Sequence, residues 1–137
     1  MSPPPGTSRA RLVRLGLWLS FWVVLFALTH TKAISGGRFE FEYSDIVAHV
    51  LLYSVLTWLG ARYLAIRAAL TIQALAVWAG IYAVYGAFDE WSQQFVSRIP
   101  SFLDWLADCT GIALATLWLL RRRGRLSEQR PQDVTPP

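Results

Sequence analysis

The chain has 137 residues, a net charge of +4 and a 54% share of hydrophobic residues, and 14% of its residues are aromatic. This length gives room for one domain, and so apolar a composition excludes an ordinary soluble fold. The seven tryptophans and five tyrosines are typical of a membrane protein, because amphipathic rings collect at the two membrane interfaces. The basic residues lie at the ends of apolar runs, so we expect no nucleic-acid partner. Cys109 is the single cysteine, which excludes an internal disulfide.

The apolar runs predict an all-α fold, an integral membrane bundle of four transmembrane helices within residues 12–121. The predicted helices cover about 12–31, 45–63, 67–93 and 103–121. A span needs about 20 residues, and the last uncharged run, Cys109 to Leu120, has only 12. The fourth helix must therefore begin near Asp104 and carry Asp108 in its first turns.

The segments around this domain have a different composition. Residues 1–11 and 122–137 contain many prolines and polar residues, so we predict a disordered N-terminal tail and a C-terminal tail that is first basic and then disordered. We expect the first apolar run to be retained rather than cleaved as a signal peptide, because Thr29 to Lys32 offers no small-x-small cleavage site. The loop at 32–44 fits either a short hairpin or an interfacial segment with its aromatic rings in the head groups.

The basic residues predict the orientation of the bundle. With both termini on the cytoplasmic side, ten Lys and Arg residues lie inside and three lie outside. Positive residues accumulate on the cytoplasmic side of membrane proteins. We therefore predict a multi-pass protein of the inner (cytoplasmic) membrane with both termini cytoplasmic. The basic run that follows the fourth helix is then a topology signal that contacts anionic membrane lipids.

Polar residues at helical spacing occur at the outer ends of the spans. Residues four positions apart share one face of a helix. In the second helix this face carries Asp45, His49 and Tyr53. In the fourth helix Asp104 and Asp108 have the same spacing.

The end of the third helix adds a further polar set. Glu90 and Gln94 lie four apart with Gln93 beside them, and Asp89 precedes them. Arg98 follows in a short loop. Unsatisfied polar groups are costly in a membrane. We therefore expect the polar faces of three helices to turn toward one another at the outer leaflet.

These segments resemble a known family. Residues 44–53, the segment Asp89-Glu90-Trp91-Ser92-Gln93 with Arg98 and Ser101, and Asp104-x-x-x-Asp108-x-x-Gly111 are similar to the three blocks of the VanZ-like membrane proteins. The ordered set covers about half of the chain. Two positions depart from the family pattern: Asp108 stands where Asn is frequent, and Ala115 stands where a second Gly is expected.

The resemblance implies a small multi-pass protein of the cytoplasmic membrane. The family is named for a member that raises resistance to the glycopeptide teicoplanin. The resemblance supplies no reaction, so whether this chain is an enzyme stays open. The resemblance also implies that the protein belongs to the cell envelope and is connected with antibiotic resistance.

Three functional interpretations of the polar residues are compatible with the sequence. In a catalytic site, His49 would act as general acid or base, oriented by Asp45, and carboxylates would assist it. The candidate catalytic residues are His49, Asp45, Glu90 and Asp104. Carboxylates with one imidazole would suit a divalent cation, although no recognised motif assigns a metal site or a cofactor.

In a binding site, the protein would bind a cell-envelope lipid without chemistry. Arg98 would meet a phosphate or carboxylate, as in a polyprenyl-phosphate or a peptidoglycan-precursor lipid, while Trp91 and Trp105 would stack. The candidate ligand-binding residues are Arg98, Gln93, Gln94, Asp108 and Tyr53.

In a purely structural network, the same residues would pair with one another and fix the helix packing. His49 would bond to Asp45 or to a backbone carbonyl, and Arg98 would pair with carboxylates. His30, at the outer end of the first helix, is interpreted as an ordinary interfacial residue. The oligomeric state stays open.

Overall fold

The structure is a computed structural model that describes residues 5–31, 44–65 and 71–128, with side chains described for all but 5–7 and 123–128. Its helices are α1 (Pro5–His30), α2 (Ser44–Leu64), α3 (Ile72–Ser92), a short 3-10 helix (Gln93–Val96) and α4 (Phe102–Glu128). Each α-helix contains a stretch long and apolar enough to cross a membrane. This confirms the predicted all-α bundle of four transmembrane helices, whose orientation stays a prediction.

The helix ends differ from the predicted bounds. The first helix begins at Pro5, inside the tail predicted to be disordered, because proline is well tolerated in a first helical turn. The last helix continues to Glu128, since its arginines are good helix formers. The third helix begins at Ile72, where the Thr71 side chain accepts a hydrogen bond from the Ala74 amide at 3.0 Å.

Some predictions fall on residues that the structure leaves out. The start predicted for the third helix at residue 67 lies outside the described residues, as do positions 32–43 of the outer loop. The choice between a hairpin and an interfacial segment therefore stays a prediction.

The outer surface of the bundle is apolar on all four helices. Large side chains such as Leu12, Val23, Leu51, Val84 and Leu114 are exposed. Contiguous exposed apolar surface is rare on monomeric soluble proteins. In a bilayer these side chains contact lipid, so the surface agrees with the apolar composition of each span.

An aromatic core fills the middle of the bundle. The Trp18 ring stacks on Tyr63 with the ring centres 5.4 Å apart, and Trp22 packs against Tyr82 at 5.9 Å. The buried members of this core are Trp18, Leu25, Tyr53, Leu56, Tyr63, Tyr82 and Ile112. Polar residues are concentrated above this core, toward the end of the bundle where α2 begins.

The most extensive helix pair is α2 with α4. At Gly111 the two backbones approach so closely that a Cβ atom would collide with the Val50 carbonyl oxygen. The Ser54 hydroxyl donates a hydrogen bond to the Gly111 carbonyl at 3.0 Å. Small residues permit this kind of close approach between membrane helices. The contact sets the distance between the two helices that carry His49 and Asp108.

Candidate functional site

Buried polar side chains gather where α2 begins, α3 ends and α4 begins. Each is no more than 5% exposed. We call this group the polar cluster, and its members are His49, Asp89, Glu90, Gln93 and Asp108. Intramembrane ionisable residues are rare and are usually retained for function, so the cluster is the candidate site.

The centre of the cluster is a contact between two helices. His49 Nδ1 lies 2.8 Å from Asp108 Oδ1 and 3.8 Å from Glu90 Oε1. The prediction that His49 bonds to Asp45 or to a backbone carbonyl is therefore wrong. Helical spacing places Asp45 on the same face of α2, but the imidazole reaches across the close α2–α4 contact to a carboxylate on the other helix.

Both carboxylate oxygens of Glu90 accept hydrogen bonds. Oε1 accepts a hydrogen bond from Gln93 Nε2 at 2.8 Å, and Oε2 accepts one from the Ser101 backbone amide at 3.0 Å. The first bond stays within the end of α3, whereas the second joins α3 to the start of α4. Glu90 is thereby fixed between the cluster and the loop.

The loop between α3 and α4 folds back onto the cluster. It starts with the 3-10 helix, and Ser97 follows in the left-handed region with φ 59°. The Arg98 amide then donates to the Gln93 carbonyl at 3.2 Å. Asp104 N donates to the Ser101 hydroxyl at 3.3 Å, near the start of α4. This tight path brings the Ser101 amide to Glu90.

The end of α1 extends the polar cluster. Thr29 Oγ1 lies 3.2 Å from Asp89 Oδ1, and both residues are fully buried. His30 Nε2 lies 2.9 Å from the Ser92 hydroxyl. His30 Nδ1 lies 3.7 Å from Asp89 Oδ1. All four helices therefore contribute to this end of the bundle.

Sequence reasoning missed the contribution of α1. His30 was interpreted as an ordinary interfacial residue, and Thr29 was assigned no role. The usable signal was topology, since the outer end of the first span must lie at the same depth as the polar ends of the other three. Asp89 was noticed as polar but was not assigned to the site.

Five predicted site residues lie outside the hydrogen-bonded centre: Asp45, Gln94, Asp104, Arg98 and Tyr53. Asp45 is half-buried and its Oδ1 atom has no hydrogen-bond partner among the described residues. Gln94 is exposed and its amide donates to the Trp91 carbonyl at 2.7 Å. Asp104 is half-buried, and its backbone amide donates a hydrogen bond to the Ser101 hydroxyl.

Arg98 contacts α1. Its guanidinium donates to the Thr29 carbonyl oxygen. Within residues 5–31, 44–65 and 71–128 it makes no salt bridge with a carboxylate, so the predicted pairing is not found there. Arg98 therefore lies beside the cluster, next to the residue that contacts Asp89.

Tyr53 lies at the inner edge of the cluster, one helical turn below His49. A Cβ atom on Gly86 would lie 3.0 Å from Asp108 Oδ2 and 3.4 Å from the Tyr53 ring. The absence of a side chain at Gly86 thus gives room to both neighbours. The Tyr53 hydroxyl is buried and has no hydrogen-bond partner among the described residues.

A groove between α3 and α4 opens beside the cluster. It has a volume of about 390 Å³, within the range of small-molecule sites. Its lining residues are Ala87, Glu90, Trp91, Pro100, Ser101, Phe102 and Trp105. Trp105 is held by a hydrogen bond from its indole nitrogen to the Ala83 carbonyl at 3.0 Å. The groove is thus largely apolar, with Glu90 as its charged member.

The chemistry of the cluster is that of carboxylates and imidazole. His49 with Asp108 has the geometry of an oriented acid–base pair, and His49, Glu90 and Asp108 could also hold a metal ion.

Comparison of the chain with family models, curated proteins and solved structures gives no match. The resemblance to VanZ-like proteins therefore stays a prediction that depends on the three sequence blocks. The residues of those blocks are nevertheless the ones that build the polar cluster and its surroundings.

Proposed function

We propose that this membrane protein binds the phosphate-bearing head group of a cell-envelope lipid in the groove between α3 and α4. The observation that carries the proposal is that Glu90 belongs both to the buried polar cluster and to the groove lining. A lipid seated there would place its apolar part against aromatic walls and its head group beside buried polar residues.

The groove has the composition that an amphiphile requires. Trp91 and Phe102 are exposed and Trp105 is half-buried, so their rings offer contact surface to an acyl or polyprenyl chain. Arg98 is not among the lining residues of the groove, but it is half-buried and lies at the same end of the bundle. A guanidinium has five N–H donors in a fork that suits phosphate, and only one described contact occupies them.

The family resemblance supports a role in the cell envelope. His49 comes from the first VanZ-like block, Glu90 and Gln93 come from the second, and Asp108 comes from the third. Residues that are far apart in the chain but similar to one family thus meet in one place. We infer that the protein is VanZ-like, resides in the inner membrane and changes glycopeptide susceptibility by binding a polyprenyl-phosphate or a peptidoglycan-precursor lipid.

A structural role is the second candidate, and it is favoured by the mutual hydrogen bonds of His49 with Asp108 and of Glu90 with Gln93. Against it stand buried polar atoms that have no partner among the described residues. In and beside the polar cluster these atoms are Asp89 Oδ2, Gln93 Oε1, Asp108 Oδ2 and the Tyr53 hydroxyl. A network that served packing alone would leave fewer such atoms, because each one costs stability.

Native mass spectrometry of the purified protein tests the proposal. The wild type and Ala87→Phe would be incubated in mild detergent with undecaprenyl phosphate or with undecaprenol, which has the same chain without the phosphate, as the reference lipid. Ala87 lines the groove, so a phenyl ring there fills part of the space. We expect the wild type to retain undecaprenyl phosphate preferentially and Ala87→Phe to lose that preference.

Ala76→Phe is the matched control, because Ala76 is also exposed on α3 and is not among the groove residues. It should retain the lipid as the wild type does. Equal retention of both lipids by the wild type, or unchanged selectivity in Ala87→Phe, would refute binding in this groove.

A further inference from the structure

We propose that His49, Glu90 and Asp108 bind one divalent transition-metal ion, such as Zn²⁺ or Mn²⁺, at the inner side of the groove. The proposal deepens the lipid-binding function by naming a cation for the same site, but metal binding itself requires no lipid. It combines residues from α2, α3 and α4, which are distant in sequence and meet only in the folded bundle.

The donor atoms lie close to the spacing that a shared metal requires. Each of the three residues offers one ligand atom, and these atoms all lie within 4.8 Å of one another. Zinc binds imidazole nitrogen and carboxylate oxygen at about 2.0–2.2 Å, so two ligands of one ion lie at most about 4.4 Å apart. The distances from His49 Nδ1 to Asp108 Oδ1, 2.8 Å, and to Glu90 Oε1, 3.8 Å, are below that limit. The Glu90 and Asp108 ligand atoms lie within 4.8 Å of each other, so a side-chain shift of at most about 0.4 Å brings this pair within the limit as well.

Charge balance also favours a cation. Asp89, Glu90 and Asp108 are buried carboxyl groups, and within the described residues they form salt bridges only with histidines. Buried charges are normally paired or coordinated to metals, because removing them from water is costly. One divalent ion would neutralise the negative charges of two carboxylates.

Gln93 supplies an independent observation that points to a ligand. It is fully buried, and its Nε2 atom is fixed on Glu90 Oε1 at 2.8 Å. Its Oε1 atom has no hydrogen-bond partner among the described residues. This amide oxygen and the equally unpartnered Asp108 Oδ2 offer acceptor positions to a cation or to its bound water.

The donor set selects the kind of ion. One imidazole with two carboxylates suits zinc or manganese, whereas calcium and magnesium prefer oxygen ligands alone. Coordination through Nδ1 would replace its hydrogen bond with Asp108, and the proton of that bond would move to Nε2 of the imidazole or to solvent. The bound ion would then offer an anionic head group a positive partner next to Glu90, the residue that lines the groove.

Metal binding by the full, untagged chain tests the proposal. Protein purified in detergent would be stripped with EDTA and titrated with Zn²⁺, Mn²⁺ and Mg²⁺, with the metal content of each sample measured by mass spectrometry. We expect one Zn²⁺ or Mn²⁺ per chain and no comparable binding of Mg²⁺. A wild type that binds no ion above the buffer background overturns the proposal.

Two variants and one control assign the site. His49→Ala and Asp108→Asn should lose the stoichiometric ion, whereas Asp45→Asn should keep it, because Asp45 lies on α2 outside the three ligands. Retention of the ion by His49→Ala contradicts the assignment. Circular dichroism and gel filtration would show whether each variant folds. If either variant does not, the visible absorption spectrum of the wild type with Co²⁺ replaces the comparison. Bands of nitrogen and oxygen coordination would support the site, and the spectrum of free Co²⁺ would refute it.

The metal and lipid proposals fail separately. Ala87→Phe should lose lipid selectivity and keep the metal, because Ala87 is not among the ligands. Lipid selectivity without metal binding would refute only the metal site. Metal binding without lipid selectivity would refute only the proposed function.

Discussion

His49 Nδ1 and Asp108 Oδ1 lie 2.8 Å apart and join α2 to α4 inside the bundle. Both residues are buried, so the contact is shielded from bulk solvent. The contact depends on the close approach of the two helices at Gly111, one turn beyond Asp108. Packing and the candidate site are therefore coupled along α4.

The first prediction concerns the coupling of this pair. His49→Ala leaves a buried acceptor without its partner, which should lower the free energy of unfolding by about 1–3 kcal/mol. In a double-mutant cycle with Asp108→Ala, the two losses should differ from additivity by about 0.5–3 kcal/mol. Unfolding in mixed detergent, without added metal, measures the free energy of unfolding of the wild type, of each single variant and of the double variant. Strict additivity would contradict a direct contact.

The second prediction concerns the α2–α4 contact. Gly111→Ala places a methyl group against the Val50 carbonyl oxygen, and the resulting overpacking should cost about 1–3 kcal/mol of stability. Gly80→Ala is the matched control, because nothing lies within 4 Å of a Cβ atom at that position. Thermal unfolding should show a lower midpoint for Gly111→Ala alone. Equal midpoints would show that the helices do not approach as described.

The third prediction concerns the attachment of α1. Thr29→Val removes the hydroxyl that contacts Asp89 and should cost about 1–3 kcal/mol, because a buried carboxyl then loses a partner. Thr31→Val is the control, since the Thr31 hydroxyl contacts the Leu28 carbonyl at the exposed end of the helix. Unfolding free energies measured side by side should fall only for Thr29→Val. An equal loss in both variants would point to a general effect of valine there.

The fourth prediction concerns orientation. In a Cys109→Ala background, Ser97→Cys should react with a membrane-impermeant maleimide in intact spheroplasts. Ser8→Cys should react only after the membrane is opened, because the N-terminus is predicted to be cytoplasmic. Both serines are exposed, so accessibility within the protein does not limit either reaction. The reverse pattern would place the polar cluster at the cytoplasmic face.

Much of the fold follows from the sequence because a membrane span has a characteristic length. The fourth helix is the clearest case: its uncharged run is too short to cross, and length alone required that it carry Asp104 and Asp108. The structure begins that helix at Phe102. Helical spacing also indicated the faces that carry His49, Glu90 and Asp108, which meet in the cluster.

The pairing of these residues could not be predicted in the same way. The spacing of residues along a helix shows which of them share a face, but it does not show how far apart two helices lie. His49 was therefore assigned to Asp45 on its own helix, whereas the close contact at Gly111 brings Asp108 within reach. Arg98 was expected to meet carboxylates, but the compact turn after Gln93 directs it to the Thr29 carbonyl.

The central claim is that the groove beside Glu90 binds a phosphate-bearing lipid, and lipid-dependent thermal stability tests it most directly. A ligand that binds only the folded state raises the unfolding midpoint as its concentration rises. Titration with undecaprenyl phosphate should raise the midpoint of the wild type and of Ala76→Phe to a plateau and leave Ala87→Phe unchanged. A midpoint that does not respond to the lipid in the wild type, or that rises equally in Ala87→Phe, would contradict the account.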